Sequence, residues 1–345
     1  MKKLTVIFLG LLTVEAFANN QFIPNHYRNR RMPNQQAAIG WSTRNEVNGY
    51  LEAERADEKT AGTKTEESKT NTAMGLAFLR LNEQWNLEMT LAAGKSESED
   101  FNPSAPTDSA QMRLGTLGVG YEFEGRPMAI GGFVASSRTD YEFGSTGTKD
   151  HIRTEFASFG LGYHLPSDIY LGAGVFTAWS DHLAADDLVF AYSVGAGKVF
   201  GDKKNPEATT EAVLTFINDE GTQSYALSLR GLKNQGSLQF YGQFNYGISE
   251  GNEPADELGL LAGLDYLLES GIYFGPQMSI SVDNTDDAAS ADTKGSELSL
   301  EAGYRQGPFE AYARLARETE KSEDSFVSDQ DEVTGTLTVG GTYFF

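Results

Sequence analysis

Charged side chains at alternating positions of strand-like segments are the residues of this sequence best suited to chemistry. They are sparse and of both signs, and opposite charges recur on neighbouring segments, as in Glu301 with Arg314 and Glu310 with Arg305. Such pairs can set up a transverse electric field across a hydrated interior, or they can be salt bridges that only keep its wall wet. The candidates for lining that interior are Glu88, Arg230, Asp265, Glu301, Arg305, Glu310 and Arg314.

Enzymatic or metal chemistry has little support in the sequence. None of the four histidines (His26, His151, His164 and His182) accompanies a nucleophile-elbow signature, and the chain has no cysteine. The acidic run at 283–287 lacks the glycine and the distal glutamate of an EF-hand loop. We therefore predict no enzymatic activity, no metal ion and no cofactor.

The composition excludes several further classes. The 345 residues include 27 Lys+Arg and 49 Asp+Glu, which gives a formal net charge of −22. No basic excess is available to neutralise phosphates, so nucleic acid is not an expected partner. The negative mean hydropathy argues against a bundle of transmembrane helices. An aromatic content of 11% favours a folded chain over a disordered one.

The N-terminus has the pattern of an export signal. Lys2 and Lys3 precede a short apolar run at 4–14, and Ala16 and Ala18 form an A-x-A cleavage site. The run is too short to cross a bilayer, which takes about 20 residues. We expect a cleaved signal peptide, and the absence of cysteine favours a bacterial envelope.

From residue 35 onward the dominant hydrophobic period is two. In the segment 238–248, for example, apolar and aromatic residues alternate with polar residues or glycine. This pattern predicts sixteen strands, at 46–56, 70–81, 85–94, 109–123, 128–139, 151–165, 169–180, 188–200, 208–217, 223–232, 237–248, 258–268, 272–282, 298–305, 309–317 and 333–345.

Three further features favour a membrane barrel over a soluble sandwich. Many segments are longer than the 5–6 residues typical of soluble strands. Tight connections such as 82–84 and 306–308 alternate with long polar ones at 95–108, 283–297 and 318–332. Tryptophan and tyrosine lie near segment ends, as an interfacial aromatic girdle requires. The predicted fold is all-β, a transmembrane antiparallel up-and-down β-barrel of about 16 strands.

The C-terminal residues resemble the signature of Gram-negative outer-membrane barrels. Thr338, Gly340, Tyr343 and Phe345 match its pattern of a polar residue, a glycine and two aromatics, the last of them terminal. The resemblance implies location in the bacterial outer membrane and recognition by the barrel-assembly machinery. Tyr343 and Phe345 are expected on the lipid-facing side.

With about sixteen strands the chain also resembles a general porin over nearly all of its mature length. General porins are trimers, so the resemblance implies a homotrimer as one expected assembly. They also fold a long third outer loop into the lumen. The third outer connection here, 140–150, is short, which puts that constriction in doubt.

The expected organisation is a signal peptide at 1–18, a periplasmic leader or small plug at 19–45 and a barrel at 46–345. The segment 19–45 carries Arg28, Arg30 and Arg31, whereas most of the excess negative charge falls in the presumed outer loops. These loops could form an acidic vestibule that enriches cations, or they could simply be a solvated outer surface. Outer-membrane lipids, including lipopolysaccharide bridged through divalent cations, are expected partners.

These patterns predict a porin that lets ions and small hydrophilic solutes diffuse passively, with a mild preference for cations. The alternative is a structural or surface-adhesion barrel that transports nothing and presents acidic extracellular loops. A structural barrel would need a filled lumen, and only residues 19–45 could fill it.

Overall fold

A computed structural model of the chain describes residues 45–60, 63–100, 108–143, 147–181, 188–201, 206–219, 222–251, 255–285, 292–323 and 330–344. The predicted signal peptide with Ala16 and Ala18, the leader with Arg28, Arg30 and Arg31, and the terminal Phe345 lie outside these residues.

Sixteen antiparallel strands form one closed barrel in up-and-down order, because each strand pairs with its sequence neighbours and β1 pairs with β16. The predicted fold and strand number are confirmed. The strands are β1 Glu46–Thr60, β2 Thr63–Arg80, β3 Trp85–Asp100, β4 Asp108–Glu122, β5 Met128–Phe143, β6 Thr148–His164, β7 Ile169–Ser180, β8 Leu188–Gly201, β9 Pro206–Asp219, β10 Thr222–Gln235, β11 Leu238–Gly251, β12 Ala255–Leu267, β13 Ile272–Thr285, β14 Asp292–Gln306, β15 Phe309–Glu323 and β16 Gln330–Phe344. Across these described stretches, no helix is long and apolar enough to cross a bilayer.

The alternating side chains give the wall two chemically different faces. On β3 the outward Trp85 and Leu91 are exposed, whereas the inward Asn86 and Thr90 are buried. A soluble protein buries apolar side chains and exposes polar ones, whereas this barrel does the opposite. Its outward leucine, valine and aromatic side chains form an exposed apolar belt around the barrel. A belt of this kind is what a lipid bilayer requires of the outer surface.

We call the end where β1 begins and β16 ends the base, and the opposite end the rim. Turns at the base are short, and Gly271 and Gly307 adopt positive φ there, which glycine tolerates without a steric penalty. A side chain at Gly271 would also collide with the carbonyl oxygen of Arg305. Outward aromatic pairs mark the base, with ring centroids 4.8 Å apart both for Trp85 with Tyr121 and for Phe309 with Tyr343.

The connections at the rim are shorter than the sequence predicted. At least half of the residues assigned to the long connections 95–108, 283–297 and 318–332 lie in strands, since β3 continues to Asp100, β14 begins at Asp292 and β15 continues to Glu323. The prediction of long loops was wrong because beyond the apolar belt both faces of the wall are polar. Alternation of apolar and polar residues therefore stops before the backbone pairing does.

Candidate functional site

The inner wall of the barrel is the candidate functional site, because all seven predicted lining residues lie on inward-facing positions. Asp265, Glu301, Glu310 and Arg314 are buried in the wall. Glu88, Arg230 and Arg305 are half-buried.

One of the two ion pairs considered from the sequence is formed. Arg305 and Glu310 are register partners across β14 and β15, and Arg305 Nε donates to Glu310 Oε2 at 2.9 Å. The Tyr273 hydroxyl donates to the other oxygen of Glu310, also at 2.9 Å. Both oxygens of this buried carboxylate are therefore satisfied, which offsets the cost of removing its charge from water.

Arg314 is a register partner of Glu301, as the sequence suggested, but its ion pair is with Glu297, four residues nearer the rim on β14. Arg230 forms an ion pair with Glu211 on β9 and lies beside a cavity of about 670 Å³ that Gln243 and Leu261 also line. Three inward arginines, Arg305, Arg314 and Arg230, thus each form an ion pair with a glutamate. The inner wall therefore has fixed charges of both signs.

Tyrosines that lie over glycines are a feature of the inner wall that the sequence analysis missed. The rings of Tyr241, Tyr273 and Tyr312 cover a glycine on the next strand, and a Cβ added at that glycine would come within 2.0 to 2.5 Å of the ring. The partners are Gly263 for Tyr241, Gly303 for Tyr273 and Gly340 for Tyr312. An inward tyrosine and an inward glycine are visible in the sequence, but their pairing depends on register.

The rim end of the inner wall is acidic along β15, β16 and β1. Glu320 and Glu332 are register partners, and Glu318 and Glu54 face inward beside them. Burial raises the pKa of Glu318 to about 7, with a further contribution from the negative charges of Glu297, Glu320, Glu54 and Glu332. Burial, followed by the charges of Glu332 and Asp283, also raises the pKa of Glu320. These side chains lie beyond Arg317, the first outward charge past the apolar belt on β15.

An apolar sector occupies the inner wall from β5 to β9. Phe156 and Val189 are buried there, and Phe133, Phe176 and Ile217 pack against them. The rings of Phe156 and Phe176 have centroids 5.7 Å apart. The inner wall is therefore chemically asymmetric, with this apolar sector on one side and the charged strands β12 to β1 on the other.

The outward surface of the rim carries charge as well, but in pairs along single strands. Lys95 pairs with Glu97, Arg138 with Asp140 and Arg153 with Glu155. All six side chains are more than a third exposed, so each pair contributes little to stability. On the described parts of β3, β5 and β6 these outward charges balance, whereas the carboxylates described on β15, β16 and β1 face inward.

The residues of the C-terminal signature take up positions on both faces of β16. Tyr343 points outward and packs on Phe309, whereas Thr338 and Gly340 point inward. The Thr338 hydroxyl donates to Glu52 Oε2 at 2.9 Å across the seam between β16 and β1. The closing strand pair is thus tied by side chains as well as by its backbone ladder.

Solved structures resemble this barrel over most of its length. A Pseudomonas aeruginosa FadL homologue matches with a TM-score of 0.53 and 10% sequence identity, covering 94% of this chain and 95% of its own. The Pseudomonas putida toluene transporter TodX matches with a TM-score of 0.50 and 11% identity, covering 94% of each chain. The fold is that of an outer-membrane β-barrel. Neither a protein-family model nor a curated protein sequence matches the chain.

No group of three or more histidine, aspartate or glutamate side chains within the described ranges has the geometry to hold a metal ion. The described inner wall presents fixed charges of both signs, together with amides and hydroxyls, to the lumen.

Proposed function

We propose that this barrel lies in the bacterial outer membrane and acts as a channel through which ions and small hydrophilic solutes diffuse passively. The observation that carries the proposal is the inner wall, whose strands β9 to β1 present carboxylates, arginines, amides and hydroxyls to the lumen. Sixteen strands enclose a lumen wide enough for an aqueous path.

A mild preference for cations belongs to the same proposal. Glu54, Glu318, Glu320 and Glu332 concentrate negative charge at the rim of the lumen, and a charged entrance raises the local concentration of ions of opposite sign. Salt screens this field, with a Debye length of about 8 Å at physiological ionic strength, so the preference is partial.

The testing experiment is conductance of the refolded protein in a planar bilayer, followed by the reversal potential in a salt gradient. We expect stable steps and a potential whose sign favours cations. A folded barrel that stays electrically silent, both intact and without residues 19–44, would support the structural or adhesion alternative instead. A potential that favours anions would overturn the cation preference alone.

A second candidate solute class is favoured by the apolar sector of β5 to β9. Apolar side chains such as Phe133 and Phe176 have no role in a purely aqueous path, but they could bind an apolar solute. The TodX channel of similar fold is described as a monoaromatic hydrocarbon channel. Quenching of barrel fluorescence by toluene, compared with a Phe176→Ser variant, tests this candidate.

Assembly of this channel is proposed to involve the barrel-assembly machinery through the C-terminal residues of β16. A homotrimer is proposed on the resemblance to general porins. Contacts with lipopolysaccharide, bridged through divalent cations, are proposed on the acidity of the presumed outer loops.

A further inference from the structure

Three arginines form a row on the outward face of the barrel, on the rim side of the apolar belt. Arg113 on β4 is the register partner of Arg138 on β5, and Arg138 is the register partner of Arg153 on β6. Arg113 is exposed, and the side chains of Arg138 and Arg153 are each 53% exposed. Because register partners in an antiparallel pair are direct neighbours, the row places three positive charges on one small area of the surface.

The row works against the stability of the sheet. Like charges directly opposite each other on neighbouring strands are destabilising. Arg138 forms an ion pair with Asp140 at 2.7 Å and Arg153 forms one with Glu155, whereas Arg113 has no ion-pair partner among the described residues. Both ion pairs are exposed and contribute little, so each arginine can exchange its carboxylate for another anion. An anion that contacts the row would offset the repulsion.

Asp140 shows how an anion at this place responds to the row. The hydrogen bond from Arg138 Nε, at 2.8 Å, lowers the pKa of the Asp140 carboxyl group, and the positive charges of Arg138 and Arg113 lower it further. One carboxylate thus interacts with two arginines of the row. A phosphate group has more negative charge and more acceptor oxygens than a carboxylate, and arginine binds it in a bidentate manner. Phosphate is therefore the anion that the row fits.

The depth of the row indicates the source of the phosphate. Further toward the base on the same three strands, the outward side chains of Leu117, Val134 and Phe159 are exposed and belong to the apolar belt. The row therefore lies where the hydrocarbon core of a bilayer gives way to its headgroups. Short turns are typical of the periplasmic end of such barrels, so the headgroups at the rim are those of the outer leaflet. Long arginine side chains can extend to headgroups at this level.

We propose that Arg113, Arg138 and Arg153 bind the phosphate groups of a phosphorylated lipid of the outer leaflet, of the lipopolysaccharide class. This site rests on the proposed outer-membrane location and deepens the proposed contacts with lipopolysaccharide, but it does not depend on the channel. It differs from contacts bridged through divalent cations, because guanidinium groups and not metal ions neutralise the phosphates.

Native mass spectrometry of the refolded protein in detergent tests the site, with a chelator present throughout to remove divalent cations. Diphosphoryl lipid A is the probe, and the same lipid without its phosphates is the control for binding through acyl chains. The test variant is Arg113→Gln. Arg317→Gln is the matched control, because Arg317 is also exposed and outward beyond the apolar belt, but its register partners Leu298 and Gly335 are uncharged. The different gel mobilities of folded and heated barrel confirm that each variant folds.

We expect the wild type to bind lipid A at least tenfold more tightly than the dephosphorylated lipid. Arg113→Gln should weaken this binding at least fivefold, and Arg317→Gln less than twofold. Asp140→Asn removes the carboxylate that competes for the row and should strengthen binding at least twofold. Equal affinities of the two arginine variants, no gain from Asp140→Asn, or loss of wild-type binding in the chelator would overturn the proposal.

Two further measurements separate the alternatives. Inorganic phosphate in about tenfold excess over lipid A should not displace the lipid, because acyl chains on the apolar belt add to its binding. Displacement would make the row a site for free phosphate and overturn its assignment to a lipid. Conductance should be the same for the wild type and Arg113→Gln. Phosphate-dependent lipid binding by a folded barrel that does not conduct would refute the channel and leave this site standing, and conductance without such binding would do the reverse.

Discussion

The acidic inner face of the rim gives the sharpest quantitative prediction. Replacing Glu318, Glu320 and Glu332 by glutamine removes three negative charges without changing the size of the side chains. All three face the lumen beyond the apolar belt, and Glu320 and Glu332 are direct register partners. We expect this triple variant to lose most of its preference for cations.

The magnitude follows from Coulomb's law. At about 10 Å in water, one charge contributes about 0.4 kcal/mol to the energy of a passing monovalent ion. Screening at physiological salt reduces this to about 0.1 kcal/mol per carboxylate. Each carboxylate stabilises a cation and destabilises an anion by this amount, so three carboxylates change the free-energy difference between the two ions by about 0.7 kcal/mol. The cation-to-anion permeability ratio should therefore change about threefold. At about 10 mM salt the Debye length is about 30 Å, and the change should exceed tenfold.

The assay is the reversal potential across a KCl gradient at pH 8, measured for the wild type and the variant at both salt concentrations. The matched control changes Glu97, Asp140 and Glu155 to their amides, which alters the net charge equally but on the outward face. An equal effect of the two triple variants, or an effect that does not grow at low salt, would refute the assignment of selectivity to the inner face.

Three further predictions concern single residues. Because the pKa of Glu318 is raised from 4.5 to about 7, cation preference should increase between pH 6 and pH 8, and Glu318→Gln should flatten that change. The folded barrel retains a proton that the unfolded chain releases, so stability contributed by this group is present below pH 4.5 and is lost as the pH rises through about 7. Gly303→Ala forces a Cβ within 2.2 Å of Tyr273 and should cost about 1–3 kcal/mol in urea unfolding, whereas Gly335→Ala, with nothing within 4 Å, should be nearly neutral. Arg314→Met leaves the buried Glu297 without its cation and should lower the free energy of unfolding in urea by about 3–5 kcal/mol. The control Arg317→Met, at an exposed outward position, should lower it by less than about 0.5 kcal/mol. Equal losses for the two arginines would contradict this account.

The sequence predicted the barrel because lipid and lumen impose opposite chemistry on alternate residues. Within the apolar belt, as in β3 from Trp85 to Ala93, the alternation is regular enough to fix both the strand and the face of each side chain. The sequence could not predict the strand ends, because the segments 63–69 and 318–323 are polar on both faces. A segment without apolar alternation is predicted as a loop, although both segments lie in strands.

Side-chain pairing could be predicted only in part because it depends on register: the Arg305–Glu310 pair is formed, but the partner of Arg314 was not foreseen. The register places Arg314 opposite Glu301, but its side chain forms an ion pair with Glu297, four residues nearer the rim, and alternation alone could not indicate that choice. The cover of Gly303 by Tyr273 depends on the same alignment of β13 with β14.

The strands that continue past the apolar belt fix the position of the rim charges in space. β2 runs for 18 residues, whereas about 9–11 residues suffice to cross a bilayer. Glu318 and Glu332 are therefore attached to a hydrogen-bonded wall, so an ion entering the proposed channel would meet charges whose positions are set by strand pairing. Cleavage of the connecting segments by a protease is expected to leave these charges in place.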